Sequence, residues 1–189
     1  MLRSAFTIVV CLLIGMPAAA ITVVPLTFEQ LVNRSALVVL ARVIDVRGEL
    51  IADGRGIESV VTVSVLKELK GGSGDTLQFT VPGGRAGRYL NLIPGAPTFT
   101  SGDLAVVFLS ARGARLPVTT GLTQGVYRVQ RGSGEMMVMP PVIDSGGTRI
   151  ARGNPQRKPV SLSTFEASVR AVADGRSASA PSALRRIER

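Results

Sequence analysis

The chain of 189 residues contains no histidine and no tryptophan, and its single cysteine is Cys11. The missing histidine removes the commonest general base, and a lone thiol builds neither a thiolate metal site nor an internal disulfide framework. The carboxylates are scattered, with no pair placed for glycosidase chemistry and no calcium-loop spacing. Hydroxyl and amine chemistry is what remains. Ser64-Val65-Leu66-Lys67 matches the S-x-x-K pattern of serine acyltransferases. That pattern works on a helix, where residues three apart share a face; on an extended chain Ser64 and Lys67 point to opposite sides, which makes the match a coincidence. Met136, Met137 and Met139 offer thioethers, but alternation splits them between two faces and assigns them to packing. These absences describe a chain with no catalytic residues, no cofactor and no metal site, expected to be non-enzymatic.

The N-terminal stretch has the layout of an export signal. Arg3 precedes a run from Ala5 to Met16 that is apolar apart from Thr7 and Gly15, and Pro17-Ala18-Ala19-Ala20 supplies small residues for a cleavage site. The run is shorter than the roughly 20 residues that span a bilayer. Residues 1–20 are therefore expected to be a signal peptide, leaving a periplasmic or extracellular protein with no transmembrane segment after cleavage. Cys11 goes with the signal, so the exported chain is held together by core burial alone.

The rest reads as mainly β. Val61, Val63 and Val65 alternate with Thr62 and Ser64, and after a turn at Lys70 to Gly74 the alternation resumes with Leu77, Phe79 and Val81. The two runs form a hairpin, which Pro82-Gly83-Gly84 ends. Ala36 to Val46 and Leu104 to Ser110 are apolar on both sides, the pattern of strands covered on both faces. Val118 to Thr120, Gly125 to Gln130 and Glu135 to Met139 follow as three short strands spaced as an antiparallel meander. Arg85 to Thr100, interrupted by Gly87, Pro94, Gly95 and Pro97, is a long loop with an edge segment near Tyr89 to Ile93. Thr27 with Gln30, and Ser163 with Glu166, are capping-box pairs opening an N-terminal and a C-terminal helix, the second ending at Asp174-Gly175. The expected architecture is one β-rich domain over 21–175, a small antiparallel barrel of the oligonucleotide/oligosaccharide-binding (OB) type with a helix at each end. Residues 176–189, rich in Ser, Ala and Arg, are expected to be a disordered basic tail.

Charge is divided unevenly. From Ile21 to Ala111 eight basic residues meet eight acidic ones, whereas from Arg112 onward thirteen basic residues meet five acidic ones. Arg112, Arg115, Arg128, Arg131, Arg149, Arg152, Arg157 and Lys158 are thus candidates for contact with an anionic surface, with Arg85 and Arg88 in the glycine-rich loop as a second candidate contact.

The run from Leu26 to Val43, the strand from Val61 to Gly71, and Phe99 to Leu109 leading to Gly121-Leu122-Thr123-Gln124-Gly125 resemble a widespread group of uncharacterised exported bacterial proteins, over about Pro25 to Val129. The same layout looks like the small closed barrel of the netrin-like and tissue-inhibitor-of-metalloproteinase group, which implies an OB-type barrel. The inhibitors of that group chelate zinc through an N-terminal cysteine, for which Ile21 is no substitute, so the resemblance implies architecture only. The expected function is an exported binding or envelope-associated module. Its partner would be an anionic envelope polymer or another exported protein, with no specific nucleic acid. The alternatives are a protease inhibitor-like protein, favoured by an exposed apolar edge near Tyr89 to Phe99, or an enzyme with an unrecognised site. Secretion from a bacterial host should yield a mature chain that begins at Ile21 by mass spectrometry; a soluble exported product that retains Met1 would contradict the signal assignment.

Overall fold

The computed structural model describes residues 25–51, 56–132, 134–141 and 158–175. The expected signal peptide, the tail at 176–189 and the basic loop carrying Arg149, Arg152 and Arg157 lie outside the described residues. The fold is mainly β. Its strands are β1 (Leu37–Leu50), β2 (Ile57–Lys70), β3 (Thr76–Pro82), β4 (Gly84–Ala86), β5 (Tyr89–Asn91), β6 (Leu104–Arg112), β7 (Arg115–Thr119), β8 (Val126–Arg131), β9 (Met136–Met139) and β10 (Val160–Ser161). Helices α1 (Phe28–Arg34) and α2 (Leu162–Ala173) precede and follow them, and a 3-10 turn spans Leu122–Gly125.

Eight strands form one mixed sheet in the order β1-β2-β3-β7-β6-β8-β9-β10, and β4 with β5 makes a separate two-stranded ribbon. A further β1–β6 pairing brings the path β1-β2-β3-β7-β6 back to its start. The expectation of a purely antiparallel sheet fails at one contact, the parallel pair Thr80–Val118 between β3 and β7. The reason is parity: strands that alternate in direction cannot close a circuit of odd number without one parallel neighbour. The meander expectation fails there too. β8 and β9 form a hairpin, but β7 pairs with β6 and crosses to β3.

The double-sided apolar pattern of β1 and β6 has a direct cause. Val39, Ala41, Ala105, Val107 and Leu109 point into a core enclosed by the circuit, together with Val61, Val63, Phe79 and Val81. Their chain neighbours Val38, Leu40, Val106 and Phe108 point the other way, into a second core with Leu31 and Val32 of α1, Tyr127 of β8 and Phe165 and Val169 of α2. The register Val38–Phe108 beside Val39–Val107 puts each row opposite its like. In the helix-side core Phe108 meets Phe165 edge-on at 6.3 Å between centroids, and Tyr127 lies 4.8 Å from Phe165. Burial pushes the Tyr127 phenol up to about 12.

Bulges reconcile strand β2 with both cores. Pairing with β1 skips Leu66 and Leu69 on β2 and Ile44 on β1. Each skip changes the side that following residues face. Val65 therefore packs toward the enclosed core while Leu69 reaches the helix side. Leu66 and Ile44 are left largely exposed at 51% and 50%.

Polar side chains pin the helices in place. Thr27 and Gln30 form the expected capping box. At the other end of α1, the Lys70 ammonium donates to the carbonyls of Val32 and Ser35, each at 2.7 Å, which satisfies groups the helix itself leaves open. The Gln124 amide oxygen accepts from the Leu26 N–H at 2.7 Å, so the Gly121–Gly125 motif anchors the lead into α1. Helix α2 has its cap two residues earlier than expected: Ser161 accepts from the Thr164 N–H, and Glu166 pairs with Lys67 instead of closing a box with Ser163. Glu166 is 8% exposed, and a carboxylate so deep needs this partner more than a solvent-facing cap does.

Phe108 is fully buried at the meeting point of α1, α2, β6 and β8. Phe108→Ala should cost about 3 to 5 kcal/mol, a large share of the roughly 5 to 15 that a domain has. Thermal or denaturant melting measures it, and an unchanged midpoint would remove Phe108 from the core.

Candidate functional site

Gly83 and Gly84, both at positive φ, turn the chain out of β3. The Gly83 N–H bonds the Ile57 carbonyl at 2.8 Å, and Ser59 Oγ donates to the Gly83 carbonyl at 2.8 Å. The ribbon is thereby laid across the β1–β2 pair. Contact is close: a Cβ on Gly48 would fall 2.0 Å from the Arg85 carbonyl oxygen, and one on Gly84 would fall 2.0 Å from Ser59 Oγ. Residues 57 and 59 face the same side of β2 as Val61 and Val63, so the ribbon covers the continuation of the enclosed core. Its far side meets solvent.

The large side chains that the ribbon exposes are mostly apolar. Tyr89, Leu90 and Leu92 are 53%, 55% and 77% exposed. Leu50 and Ile51, also exposed, adjoin them, because Leu50 pairs with Ile57 and a Cβ on Gly56 would lie near both Ile51 and the Asn91 amide. Five of the eight large apolar side chains that the described fold leaves exposed therefore gather beside one ribbon. Of the other three, Ile44 and Leu66 are bulge residues, and Leu116 follows Arg115 at the start of β7. A concentration of this kind marks contact with something other than water.

Cations border it. Arg85 stands opposite Leu90 in the ribbon, and the Arg88 guanidinium lies 5.1 Å from the centre of the Tyr89 ring and donates to its hydroxyl at 2.9 Å. At the β6–β7 turn, Arg112 and Arg115 are direct cross-strand partners, an arrangement of like charges that opposes the hairpin. Arg112 is relieved by Glu58 of β2, 3.4 Å away, and the Glu58 side chain points away from the face that the ribbon covers. Among the described residues Arg85, Arg88 and Arg115 have no carboxylate within ion-pair distance. Arg85 and Arg88 belong to the ribbon, whereas Arg112 and Arg115 belong to the β6–β7 turn, which Arg112 ties to Glu58 on the face of β2 opposite to residues 57 and 59.

The remaining candidates lie elsewhere. Arg128 bridges to Asp103, donates to the Thr98 carbonyl and stacks 5.2 Å over Phe99, whose ring packs on Phe79; its charge is spent on holding that loop. Arg131, at the end of β8, is opposite Met136, and Lys158 precedes β10. Lys67 of the S-x-x-K run is bound to Glu166 and is not directed at Ser64. Among the described residues no group of three or more Asp, Glu, His or Cys is placed to hold a metal, and no helix is long and apolar enough to cross a membrane.

A shallow concavity of about 510 Å³ lies at the β2–β3 turn, between Val65–Glu68 and Gly72–Asp75. Its carboxylate is already used. Glu68 accepts from the Ser73 N–H at 2.5 Å, the Ser73 hydroxyl at 2.9 Å and the Gly74 N–H at 3.1 Å. The Ser73 N–H contributes most to holding the Glu68 carboxyl below its ordinary 4.5. The concavity is the outside of a well-tied turn.

Comparison of the chain with protein-family models, with curated proteins and with solved structures found no match.

Because the folded carboxyl titrates below the unfolded one, Glu68 stabilises the turn at pH values above about 4.5 and loses that contribution as pH falls through its lower folded value. The Ser73 and Gly74 amide resonances should move with a midpoint below 4.5, and Glu68→Gln should abolish the transition. A midpoint at or above 4.5 would detach the carboxylate from the turn.

Proposed function

We propose that this chain is an exported, non-enzymatic binding module on an OB-type barrel, and that it meets an anionic partner through the β4–β5 ribbon and the β6–β7 turn. The strand circuit supports the architecture: numbered along the chain within it, the strands run first, second, third, fifth, fourth, with one parallel contact between third and fifth. That is a Greek-key path, as an OB-type barrel requires. The layout of residues 1–20 supports export to the periplasm or beyond.

One observation carries the binding assignment. Arg85 and Arg88 stand beside a cluster of exposed apolar side chains, and at the β6–β7 turn the fold gains nothing from placing Arg112 and Arg115 face to face. Residues that oppose folding where they sit are retained for another reason. Charges at such a rim act mainly on encounter and orientation, while the apolar patch supplies the area to be buried.

Heparin chromatography of the mature protein tests the anionic preference. Arg85→Ser with Arg88→Ser, and separately Arg112→Ser with Arg115→Ser, should each elute at clearly lower salt than the parent, because every cation lost removes one counterion-release contact. Arg131→Ser, remote from this surface, should elute with the parent. Equal elution of all four proteins would overturn the assignment.

A further inference from the structure

We infer that the partner is a protein, and that the contact is an extended acidic segment bearing aliphatic side chains, which adds as a strand along the outer edge of β5 with its apolar residues on Leu90 and Leu92. The inference rests on the binding reading above and specifies its ligand.

Three observations lead to it. First, β5 pairs only with β4 among the described residues, so its second edge offers backbone N–H and C=O groups for pairing. An apolar edge left open is a template for another strand. Secondly, Leu92 is the most exposed residue of the patch and Leu90, two positions before it, is more than half exposed, and an extended segment places alternate side chains at the spacing needed to cover such a row. Thirdly, the cations at this surface demand acidic residues on whatever covers it. Arg85 faces the same side as Leu90, and neither Arg85 nor Arg88 has a carboxylate within ion-pair distance among the described residues.

Other occupants meet physical objections. An anionic polysaccharide or polyphosphate satisfies the arginines and leaves the leucines in water. Insertion into an anionic lipid surface would bury leucines but would also carry an unpaired strand edge toward hydrocarbon, where each unmet backbone group costs several kcal/mol. A second copy of the chain would bring arginine against arginine. The segment at 142–157, with Arg149, Arg152 and Arg157 against Asp144, repels the patch for the same reason.

The test is fluorescence anisotropy of the mature protein with synthetic peptides. An alternating Leu-Glu peptide should bind, an alternating Ser-Glu peptide of equal charge should bind about tenfold more weakly, and Leu90→Ser with Leu92→Ser should weaken the Leu-Glu peptide by a similar factor. Methylating every second backbone amide of the Leu-Glu peptide, on the edge that would face β5, should abolish binding, while methylating the alternate set should not. Heparin elution of the leucine variant should equal the parent's, which also shows that the variant is folded. Equal binding of the two peptides, or indifference to methylation, overturns strand addition while leaving the anionic assignment intact. Leucine-dependent binding to vesicles of phosphatidylglycerol and phosphatidylcholine without peptide binding overturns it in favour of lipid. Leucine-dependent self-association in sedimentation overturns it in favour of a second copy.

Discussion

Strands β1 and β6 are walls common to two apolar cores, and the rest of the described structure follows from that constraint. Each must be apolar on both faces, must keep a register that sorts one row inward and the other toward the helices, and must be covered on both sides. The helices answer the second requirement. Without α1 and α2 the row Val38, Leu40, Val106 and Phe108 would lie open to water, and the exposed area would cost the chain a large part of its stability. With a single cysteine, and so no internal disulfide to draw on, a chain of this kind depends on such burial throughout.

The same constraint explains where polar groups go deep. Lys70 closes the C-terminal end of α1, Gln124 holds its approach, and Lys67 with Glu166 ties α2 to β2. Ser35, Thr120 and Ser110 pass hydrogen bonds along a short chain of hydroxyls at 2.8 and 2.7 Å between α1, the turn after β7 and β6. Each ties a helix, or the lead into one, to a strand of the circuit or to one of its turns. The weakest seam is the β3–β7 contact, a single parallel pair flanked by Thr80 and Thr119, whose buried hydroxyls have no partner among the described residues. Each such hydroxyl costs on the order of 1 to 3 kcal/mol relative to a satisfied one, which makes this seam the place where the circuit yields first.

The ribbon surface is of a different kind. Its apolar residues are not needed to close the enclosed core, which Gly83, Gly84 and the ribbon backbone already cover, and its arginines Arg85 and Arg88 have no carboxylate within ion-pair distance among the described residues. Departures from local consistency of this sort occur where a surface meets a partner. The basic character that the sequence concentrates after Arg112 is therefore sorted by the fold into different uses: Arg128 binds its own loop, Arg112 pairs with Glu58, and Arg115 faces Arg112 with no carboxylate within ion-pair distance among the described residues.

Much of the fold was legible in the residues. Alternation in Val61 to Val65 and Leu77 to Val81 specified a hairpin with one buried face, the two-sided apolar runs specified strands covered on both faces, and Thr27 with Gln30 specified a capped helix, because each of these depends on neighbours along the chain. Three features were decided only in three dimensions. The bulges at Leu66 and Leu69 moved Leu69 to the helix side, since a bulge arises from mismatch between two strands and leaves no mark in either alone. Glu166 left its local cap for Lys67 because helix packing buried it, which no spacing within α2 reveals. And Arg112 met Glu58 from more than fifty positions away in the chain, a proximity that only the path of the strand circuit creates.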